Sequence, residues 1–413
     1  MLRNTLWMAG GFGIRAFFQF FYFVLLARTL GPAEYGAFLG VLALVIFLSP
    51  FASWGSGNLL IKHVARNPAT FPERWGAALA TTLLSGSLLV LLAMLLTGVV
   101  FGWEAAWRLA LPIALGEMLG TRLSDVASQA FQAVQRMQGT TTIWAGITFS
   151  RLLGVFVLVA LPGEANASLW AWVYAASGMG WGIVSVLWVS VALGKPRISL
   201  HPMRGEWRAG FYFAVSLSSQ GAYNDIDKTL LARMVSDVTA GMYGAAYRII
   251  DAAFIPVRAV LYASYPRFFQ EGSRGLVAAG RFALKLLLPA LAMVSVVALA
   301  LLVLGPWIPK LLGEGFRGSH EVVLWLLPVL FFRVLHYFPA DALTGSGYQG
   351  VRTALQLGAA MLNLALSLRL IPLWGWKGAA VASWASDAML VLLLWSCILV
   401  LSGNRLFHKR GLL

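Results

Sequence analysis

Apolar runs of about 20 residues follow one another along the whole chain, separated by short segments that carry Gly, Pro and charged residues. Each run is long enough to cross the hydrocarbon core of a bilayer as an α-helix, because that core is about 30 Å thick. A transmembrane β-barrel would instead alternate apolar and polar residues in segments of about ten. The pattern therefore predicts an all-α polytopic membrane protein with about 12 transmembrane helices.

We place these spans at residues 5–27, 35–60, 76–101, 108–134, 140–161, 168–193, 208–232, 238–265, 277–304, 321–345, 350–372 and 376–401. The composition agrees, because 59% of the 413 residues are hydrophobic and 11% are charged, whereas soluble proteins usually have about 25% charged residues. The net charge of +15 is not clustered on a soluble domain, so we expect no nucleic-acid partner.

The distribution of basic residues predicts the orientation of the chain. Most of the 31 Lys and Arg lie in the loops that an alternating path of spans places on the N-terminal side. An even number of spans also places the C-terminus on that side. Since cytoplasmic loops are enriched in Lys and Arg, we expect both termini in the cytoplasm.

A short motif occurs twice, half a chain apart. The sequence LLAR at 25–28 is followed by a polar turn and by Tyr-Gly-Ala at 35–37. The same LLAR at 230–233 is followed by a polar turn and by Tyr-Gly-Ala at 243–245. In both copies a span ends next to the arginine, and Tyr-Gly-Ala lies in the first turns of the next span, which indicates an internal repeat.

The repeat extends further, because the span after each motif contains an internal proline, Pro50 or Pro256. Six spans per copy is an even number, so both copies have the same orientation in the membrane. We therefore expect an N-terminal six-helix lobe at 1–200 and a C-terminal six-helix lobe at 201–413, with a cleft between them.

Ionisable side chains also occur inside the predicted spans. They are Arg15, Glu117, Arg122, Asp125, Arg151, Asp225, Asp227, Lys228, Arg248, Asp251, Arg258, Arg333, Asp341 and Asp387. Each costs about 2.5–3.5 kcal/mol at the centre of a lipid-facing helix. They must therefore face the protein interior, form pairs, or reach the membrane surface.

Helical spacing separates these alternatives for some of them. Arg122 and Asp125 are three residues apart and predict a structural ion pair. Asp251 can likewise bond Arg248, which leaves Arg258 without an acid on its own span. Arg15 also has no acid nearby in the sequence. Because arginine binds phosphate oxygens in a bidentate manner, this pattern favours an anionic substrate.

Glu117 and Arg151 stay open at this point. Glu117 is either a proton carrier or a buried neutral acid, and Arg151 is either structural or functional.

Several classes of function lack their motif. The chain has no GxxxxGK[ST], HExxH or CxxC sequence and no GxSxG with a plausible triad. We therefore expect no ATP-driven pump, no metal, no cofactor and no enzyme. The sequence GMGWG at 178–182 lies within an apolar span and predicts a helix-packing face of small residues, not a phosphate-binding loop.

The sequence NDIDKTLLARMVSDVTAGMYGAAYRI resembles the seventh-to-eighth-helix signature of the Wzx-type polysaccharide (oligosaccharide) flippases, in the multidrug/oligosaccharidyl-lipid/polysaccharide (MOP) exporter superfamily. LARTLGPAEYGAF is similar to the first loop of that family, and FQAVQRM to the end of its fourth helix. The stretch ALTGSGYQGVRTALQLGAAMLNLALSLRLIPLWGWKGAAVASWAS resembles its tenth to twelfth helices. The resemblance covers essentially the whole chain.

The resemblance implies two six-helix lobes in a V-shaped, MATE-like transporter of the bacterial cytoplasmic (inner) membrane. It implies alternating access, in which an undecaprenyl-diphosphate-linked oligosaccharide moves from the cytoplasmic to the outer leaflet, with H⁺ or Na⁺ as a coupling ion. Membrane lipids and other polysaccharide-assembly membrane proteins are the further partners it suggests. Helices 13 and 14 of the lipid II flippase branch have no counterpart among the predicted spans, which argues against a peptidoglycan precursor as substrate.

The resemblance also suggests site residues. Cavity cations of the family hold the diphosphate, and the residues in those places here are Arg15, Lys228, Arg248 and Arg258, to which we add Arg333. Our candidates for binding the coupling ion are Asp227, Asp251 and Asp341.

Three alternatives compete with this interpretation. A cation-coupled multidrug antiporter of the same superfamily should have an acidic or aromatic cavity, and the arginines without a local acid argue against it. A membrane glycosyltransferase or polymerase should have a catalytic acid in a long outer loop, and the short loops argue against that. A scaffold without transport activity is at odds with the repeat and the intramembrane charges.

Overall fold

The computed structural model describes residues 2–200, 203 and 205–408, and this part of the chain is helical and contains no strand. Its longer helices are α1 (Leu2–Leu48), α2 (Ser56–Val64), α3 (Phe71–Phe101), α4 (Arg122–Ala133), α5 (Met137–Ala160), α6 (Ala167–Ala192), α7 (Trp207–Met234), α8 (Asp237–Ala253), α9 (Ile255–Ser273), α10 (Leu276–Leu304), α11 (Ser319–Gly345), α12 (Gln349–Trp374) and α13 (Trp376–His408). Between α3 and α4, residues 103–121 form α- and π-helical turns.

Every predicted span coincides with helix in the structure. The first predicted span lies in α1, and the second begins in α1 and ends in α2. Helix α1 is kinked at Gly31, where φ is 69° and ψ is 172°. Glycine adopts this conformation without the steric cost that a side chain would add. Pro32 follows at once, so the kink separates the two predicted spans at the turn between them.

Eight helical stretches of the described chain are long and apolar enough to cross a membrane. One of them, Gly13–Val64, contains both the first and the second predicted span. The predicted spans that fall outside the eight are the fourth, the seventh and the eighth. These are the spans that carry most of the intramembrane charges, and the charges lower their hydropathy. The chain is a polytopic helical membrane protein, as the sequence predicts.

The internal repeat reappears as a break in the second span of each copy. In the first copy, α1 ends at Leu48 and a 3₁₀ turn, Ser49–Ala52, precedes α2. In the second copy, α8 ends at Ala253 and α9 begins at Ile255. A proline, Pro50 or Pro256, lies at the start of the helix or turn that follows each break. Proline has no N–H to continue the helical hydrogen bonds, which explains both interruptions.

The structure divides into two compact units, Met1–Gly241 and Met242–Leu413. Helix α7 belongs to the first unit because it packs along α1. The Thr229 hydroxyl donates to the Gly40 carbonyl at 2.8 Å, and the Ser218 hydroxyl donates to the Phe47 carbonyl at 2.6 Å. The boundary between the two compact units follows Gly241, whereas the repeat predicts a boundary after residue 200. The predicted lobes, 1–200 and 201–413, therefore stay a prediction.

Glycines allow two helix contacts at backbone distance. A Cβ atom on Gly36, in the repeated Tyr-Gly-Ala motif, would lie 1.7 Å from the Asp237 carbonyl oxygen. In α6, a Cβ atom on Gly178 would lie 2.9 Å from the Gly116 oxygen, and one on Gly182 would lie 2.6 Å from the Gly120 oxygen. The GMGWG sequence is therefore a helix-packing face, as predicted.

Loops that were predicted on the same side lie together at one end of the first unit. The Glu206 carboxylate, just before α7, lies close to three basic side chains. Its oxygens are 3.3 Å from Lys62 Nζ, 2.6 Å from His63 Nε2 and 3.1 Å from Arg74 Nη1. The amide of Arg197 donates to the carbonyl of Pro72 at 2.8 Å. This grouping agrees with the predicted alternation of loops, and the cytoplasmic location of this end stays a prediction.

These contacts shift the titration of Glu206. Partial burial alone would raise the pKa of its carboxyl, but hydrogen bonds from His63 and Lys62 outweigh burial and hold the pKa below its ordinary value of 4.5. A carboxyl with a lowered pKa stabilises the folded protein above the ordinary pKa. That contribution is lost as the pH falls through the lowered value.

We therefore expect Glu206→Gln to lower the free energy of unfolding by about 1 kcal/mol at pH 7, since partial exposure screens the charges. Thermal unfolding of the purified protein in detergent measures the effect. The difference from the wild type should shrink below pH 4.5. Glu73→Gln is the control, because the Glu73–Arg197 pair at the same end is exposed and 3.9 Å long. A Glu206→Gln protein with unchanged stability at pH 7 would contradict this account.

Candidate functional site

The contact between α6 and the π-helical turn Leu115–Thr121 places a carboxyl in the interior of the first unit. The small residues of this contact bring Glu117 against Tyr174 of α6, whose hydroxyl donates a hydrogen bond to the Glu117 carboxylate. From α5, Arg151 Nη2 lies 2.5 Å from Glu117 Oε1 and 2.9 Å from the hydroxyl of Thr121. The guanidinium also lies over the Tyr174 ring, 4.3 Å from its centroid.

The burial of this group shows that Glu117 and Arg151 are ion-paired, not exposed to lipid. Their side chains are 8% and 15% exposed. The sequence left both roles open because the two residues are 34 positions apart, on different spans. The structure supports the structural interpretation of Arg151 as a partner of Glu117.

A second pair lies on the same span. Arg122 Nη1 lies 3.0 Å from Asp125 Oδ2, which confirms the predicted pair. Arg122 Nε also donates to the Ser49 hydroxyl at 2.7 Å, in the break of the second span. Arg15 on α1 interacts electrostatically with Asp125 as well. We call Arg15, Glu117, Arg122, Asp125 and Arg151 the N-terminal charge cluster, which contains three arginines and two carboxyls.

The second unit has an ion pair between a buried arginine and a half-buried aspartate. Arg333 Nη1 of α11 lies 2.7 Å from Asp251 Oδ1 of α8, and Arg333 Nη2 donates to the Tyr247 hydroxyl at 3.0 Å. Sequence spacing suggested Arg248 as the partner of Asp251, because the two are one helical turn apart. Arg333 lies 82 residues from Asp251 and no spacing within one span reveals that contact.

Both units connect an arginine to the break in the second span of the repeat. In the first unit, Arg122 of the fourth span bonds Ser49 at the break. In the second unit, Arg333 of the tenth span lies 5.8 Å from the ring of Phe254, the residue at the break between α8 and α9. The fourth and tenth spans are equivalent in a six-span repeat. These two contacts agree with the repeat that the sequence predicts.

The acids predicted to bind a coupling ion all lie beside a cation. The Lys228 ammonium is 3.4 Å from Asp227 and 2.8 Å from Asp225, and its side chain is 2% exposed. Asp251 is paired with Arg333, as described above. Asp341 Oδ1 lies 3.1 Å from Arg352 Nη1. A neighbouring cation favours the ionised form of a carboxyl, whereas burial opposes it. Binding of a coupling ion by any of the three acids stays a prediction.

The cations predicted to bind diphosphate fall into two groups. Lys228 and Arg333 are buried in the ion pairs described above. Arg15 and Arg258 are exposed, and Arg248 is half-buried. Within the residues that the structure describes, Arg258 forms no ion pair with a carboxylate. Binding of a substrate by any of these residues stays a prediction, and exposure singles out Arg258 and Arg15.

Comparison with known sequences identifies relatives of the chain. Residues 1–271 match the family described as "Polysaccharide biosynthesis protein". The "Putative O-antigen transporter" of Escherichia coli (strain K12) is 21% identical over 404 residues, and the match covers 95% of each chain.

Comparison with solved structures shows the fold. A multidrug resistance MATE family transporter of the MOP superfamily, in its inward-facing conformation, is 14% identical with a TM-score of 0.72, and the match covers 94% of this chain and 96% of the other. Lipid II flippase MurJ, in its inward closed conformation, is 12% identical with a TM-score of 0.74 and coverages of 96% and 87%. The chain therefore has the fold of these transporters, as the resemblance implied.

The Glu117–Arg151 pair makes a prediction about stability. Arg151→Ala should cost about 3–5 kcal/mol of unfolding free energy, because it leaves the Glu117 carboxylate buried without its cation. The double variant Glu117→Gln/Arg151→Ala should be more stable than Arg151→Ala alone. Denaturation in detergent micelles measures both values.

Arg108→Ala is the matched control, because its partner Glu104 lies 2.6 Å away in an exposed pair. Removing a surface pair should cost about 1 kcal/mol or less. Equal losses of unfolding free energy in Arg108→Ala and Arg151→Ala would mean that the buried Glu117–Arg151 pair stabilises the protein no more than an exposed pair does.

Proposed function

Because the chain belongs to the polysaccharide biosynthesis protein family, we propose that it is a flippase for a lipid-linked oligosaccharide. Its substrate is an undecaprenyl-diphosphate-linked repeat unit, which it moves from the cytoplasmic to the outer leaflet. The relative named as a putative O-antigen transporter, matched over 95% of both chains, supports this substrate class. The substrate changes its position in the membrane, and no covalent bond is made or broken.

The observation that carries the proposal is an arginine within the eighth predicted span that has no acidic partner in the described part of the chain, Arg258. A diphosphate crossing a hydrocarbon core without compensating charge pays a high desolvation cost. A guanidinium replaces lost water with two parallel charge-assisted hydrogen bonds. Arg258 on α9 is free to make such bonds, since no carboxylate of the described chain occupies it.

Arg15 is the second residue we assign to the diphosphate. Its side chain is exposed, and it belongs to the N-terminal charge cluster, where arginines outnumber carboxyls. Arg248 is a further ligand in this proposal. Lys228 and Arg333 stay weaker candidates, because carboxylates lie beside both of them. The Arg333–Asp251 pair joins α11 to α8, whereas Lys228 pairs with acids of its own helix.

The transport cycle we propose is alternating access between the two halves of the repeat. The sugar occupies a hydrated path and the polyprenyl chain stays in lipid. In this proposal the protein lies in the bacterial inner membrane. The end of the first unit that carries Lys62, Arg74 and Arg197 faces the cytoplasm, because basic loops stay on that side of the membrane. The free energy for uphill transport comes from a coupling ion, H⁺ or Na⁺.

Arg258→Ala and Arg15→Ala should each slow flipping about tenfold or more, because each removes charge-assisted hydrogen bonds that contribute about 1.5–3 kcal/mol. The assay reconstitutes the protein in proteoliposomes with a lipid-linked oligosaccharide in both leaflets. It then follows how fast the sugar becomes accessible to an external enzyme or lectin. Arg258→Lys should retain part of the rate, because it keeps the charge and loses the bidentate geometry.

Arg267→Ala is the matched control, since Arg267 lies on the same helix and is 65% exposed, 3.9 Å from Glu271. It should flip at the wild-type rate. Wild-type rates in both Arg258→Ala and Arg15→Ala, with normal stability, would show that neither arginine binds the substrate. Export of a cationic dye by a wild type that flips no lipid would replace the proposal with a multidrug antiporter.

A further inference from the structure

An apolar groove runs between α10 and α11 of the second unit, and both helices are long and apolar enough to cross a membrane. The groove has a volume of about 560 Å³. Its walls include Ser295, Leu299 and Leu302 of α10 and Leu324, Phe331 and Leu335 of α11. We call it the α10–α11 groove.

The α10–α11 groove offers a ligand no free polar side chain. Ser295 provides the one side-chain hydroxyl of the lining, and this hydroxyl donates to the Leu291 carbonyl at 2.9 Å. The other lining residues are Ala, Leu, Pro and Phe. A sugar or a phosphate would lose its hydration here without gaining hydrogen bonds. Because the volume lies in the range of about 300–1,000 Å³ that is usual for ligand sites, the groove suits a flexible hydrocarbon chain.

An exposed stripe of α10 leads from two cations to the groove. Arg281 and Lys285 lie one helical turn apart in the N-terminal part of α10, and both are exposed. In steps of three or four residues, the same exposed face continues through Leu288, Ala292, Ser295, Leu299 and Leu302. The cations and one wall of the groove therefore lie on one surface of one helix.

The two cations are available to an anion. Within the part of the chain that the structure describes, neither Arg281 nor Lys285 forms an ion pair with a carboxylate. Glu271, at the end of α9, is instead close to Arg267 and Arg274. Cations near a membrane surface attract anionic lipid headgroups. Long basic side chains also reach that surface while their stems stay in lipid.

The distance between the cations and the groove selects the length of the bound chain. Along α10, Ser295 lies about 20 Å beyond Arg281 and Leu302 about 30 Å beyond it, at a rise of about 1.5 Å per residue. Half of the hydrocarbon core is only about 15 Å thick. An acyl chain of a phospholipid held at Arg281 therefore ends short of the groove, whereas a polyprenyl chain is long enough to continue into it.

We propose that Arg281, Lys285 and the α10–α11 groove together bind one polyprenyl diphosphate lipid of the cytoplasmic leaflet. The cations hold the diphosphate, and the groove holds the far part of the chain. Lipid tails are as apolar as leucine, so burial in the groove adds little affinity in a membrane. The cations therefore supply the affinity and the groove selects the chain length. That this lipid is the substrate about to be transported rests on the proposed function.

Photo-cross-linking of the purified full-length protein in lipid nanodiscs locates the bound chain. The probe is undecaprenyl diphosphate with a diazirine near the free end of its chain, and mass spectrometry identifies the labelled peptides. We expect label in residues 295–302 and 324–335. Arg281→Ala/Lys285→Ala should lower this labelling about tenfold, and added salt should lower it in the wild type. Leu299→Trp, which fills the groove, should lose the label there.

Each part of the site has a matched control. Arg274→Ala removes an exposed cation that Glu271 already balances at 3.3 Å. Leu392→Trp enlarges a leucine of α13 that is 67% exposed, compared with 61% for Leu299. Both variants should be labelled as the wild type is.

Two comparisons on the wild type need no variant. A farnesyl diphosphate probe has the same headgroup on a short chain, so it should not label residues 295–302. Unlabelled undecaprenyl diphosphate should displace the long probe, whereas an equal amount of phosphatidylglycerol should not. If a variant does not fold, as judged by thermal unfolding, these two comparisons decide.

Four results would overturn the proposal. They are a wild type without label in the groove, unchanged labelling of the double cation variant, equal labelling of the groove by the farnesyl probe, and equal displacement by phosphatidylglycerol. The last two would assign the groove to ordinary membrane lipid.

A flipping assay on the same preparation separates this proposal from the proposed function. A wild type that is labelled in the groove but flips no lipid would contradict the flippase and leave the binding surface standing. A wild type that flips lipid without label in the groove would contradict the binding surface and leave the flippase standing.

Discussion

An ionised side chain cannot lie against hydrocarbon without a partner, and this constraint organises the interior of the protein. Carboxylates and cations from distant parts of the chain meet in each unit. Glu117 meets Arg151, Asp251 meets Arg333, and Asp341 meets Arg352. These pairs hold helices together and balance the charges of their members. What they leave over is informative, because a buried or membrane-embedded group without a matching charge is available to a ligand.

The backbone decides where those charges can meet. Proline interrupts the second span of each repeat copy, and an arginine from the fourth or tenth span lies against each interruption. Small residues let α6 approach the π-helical turn that carries Glu117 at backbone distance. A larger side chain at Gly178 or Gly182 would separate these helices and pull Glu117 away from Tyr174. Packing and electrostatics are therefore linked in this unit.

Much of this architecture could be predicted from the sequence. Hydrophobic runs fixed the spans because span length is set by bilayer thickness. Pro50 and Pro256 marked the breaks, and the spacing of Arg122 and Asp125 gave their pair, because both are local effects. The pairs Glu117–Arg151 and Arg333–Asp251 could not be predicted. Periodicity tells which residues share a helix face, but not which other helix that face meets.

The assignment of α7 was beyond the sequence for the same reason. Counting spans places α7 in the C-terminal half, yet Thr229 and Ser218 bond to the backbone of α1 within the first compact unit. From the sequence, a hydroxyl side chain inside a span indicates that it needs a hydrogen-bond partner, but not which helix provides that partner.

The central claim is that an intramembrane cation recognises the diphosphate of a lipid-linked sugar. The most direct measurement varies the ligand and keeps the wild-type protein. Three lipids with the same polyprenyl chain, carrying a sugar diphosphate, a monophosphate or an uncharged headgroup, are titrated into the detergent-solubilised protein and their dissociation constants compared. The account predicts that the diphosphate binds about tenfold or more tightly than the uncharged lipid, and that this advantage falls as salt is added. Equal affinity for all three lipids would contradict it.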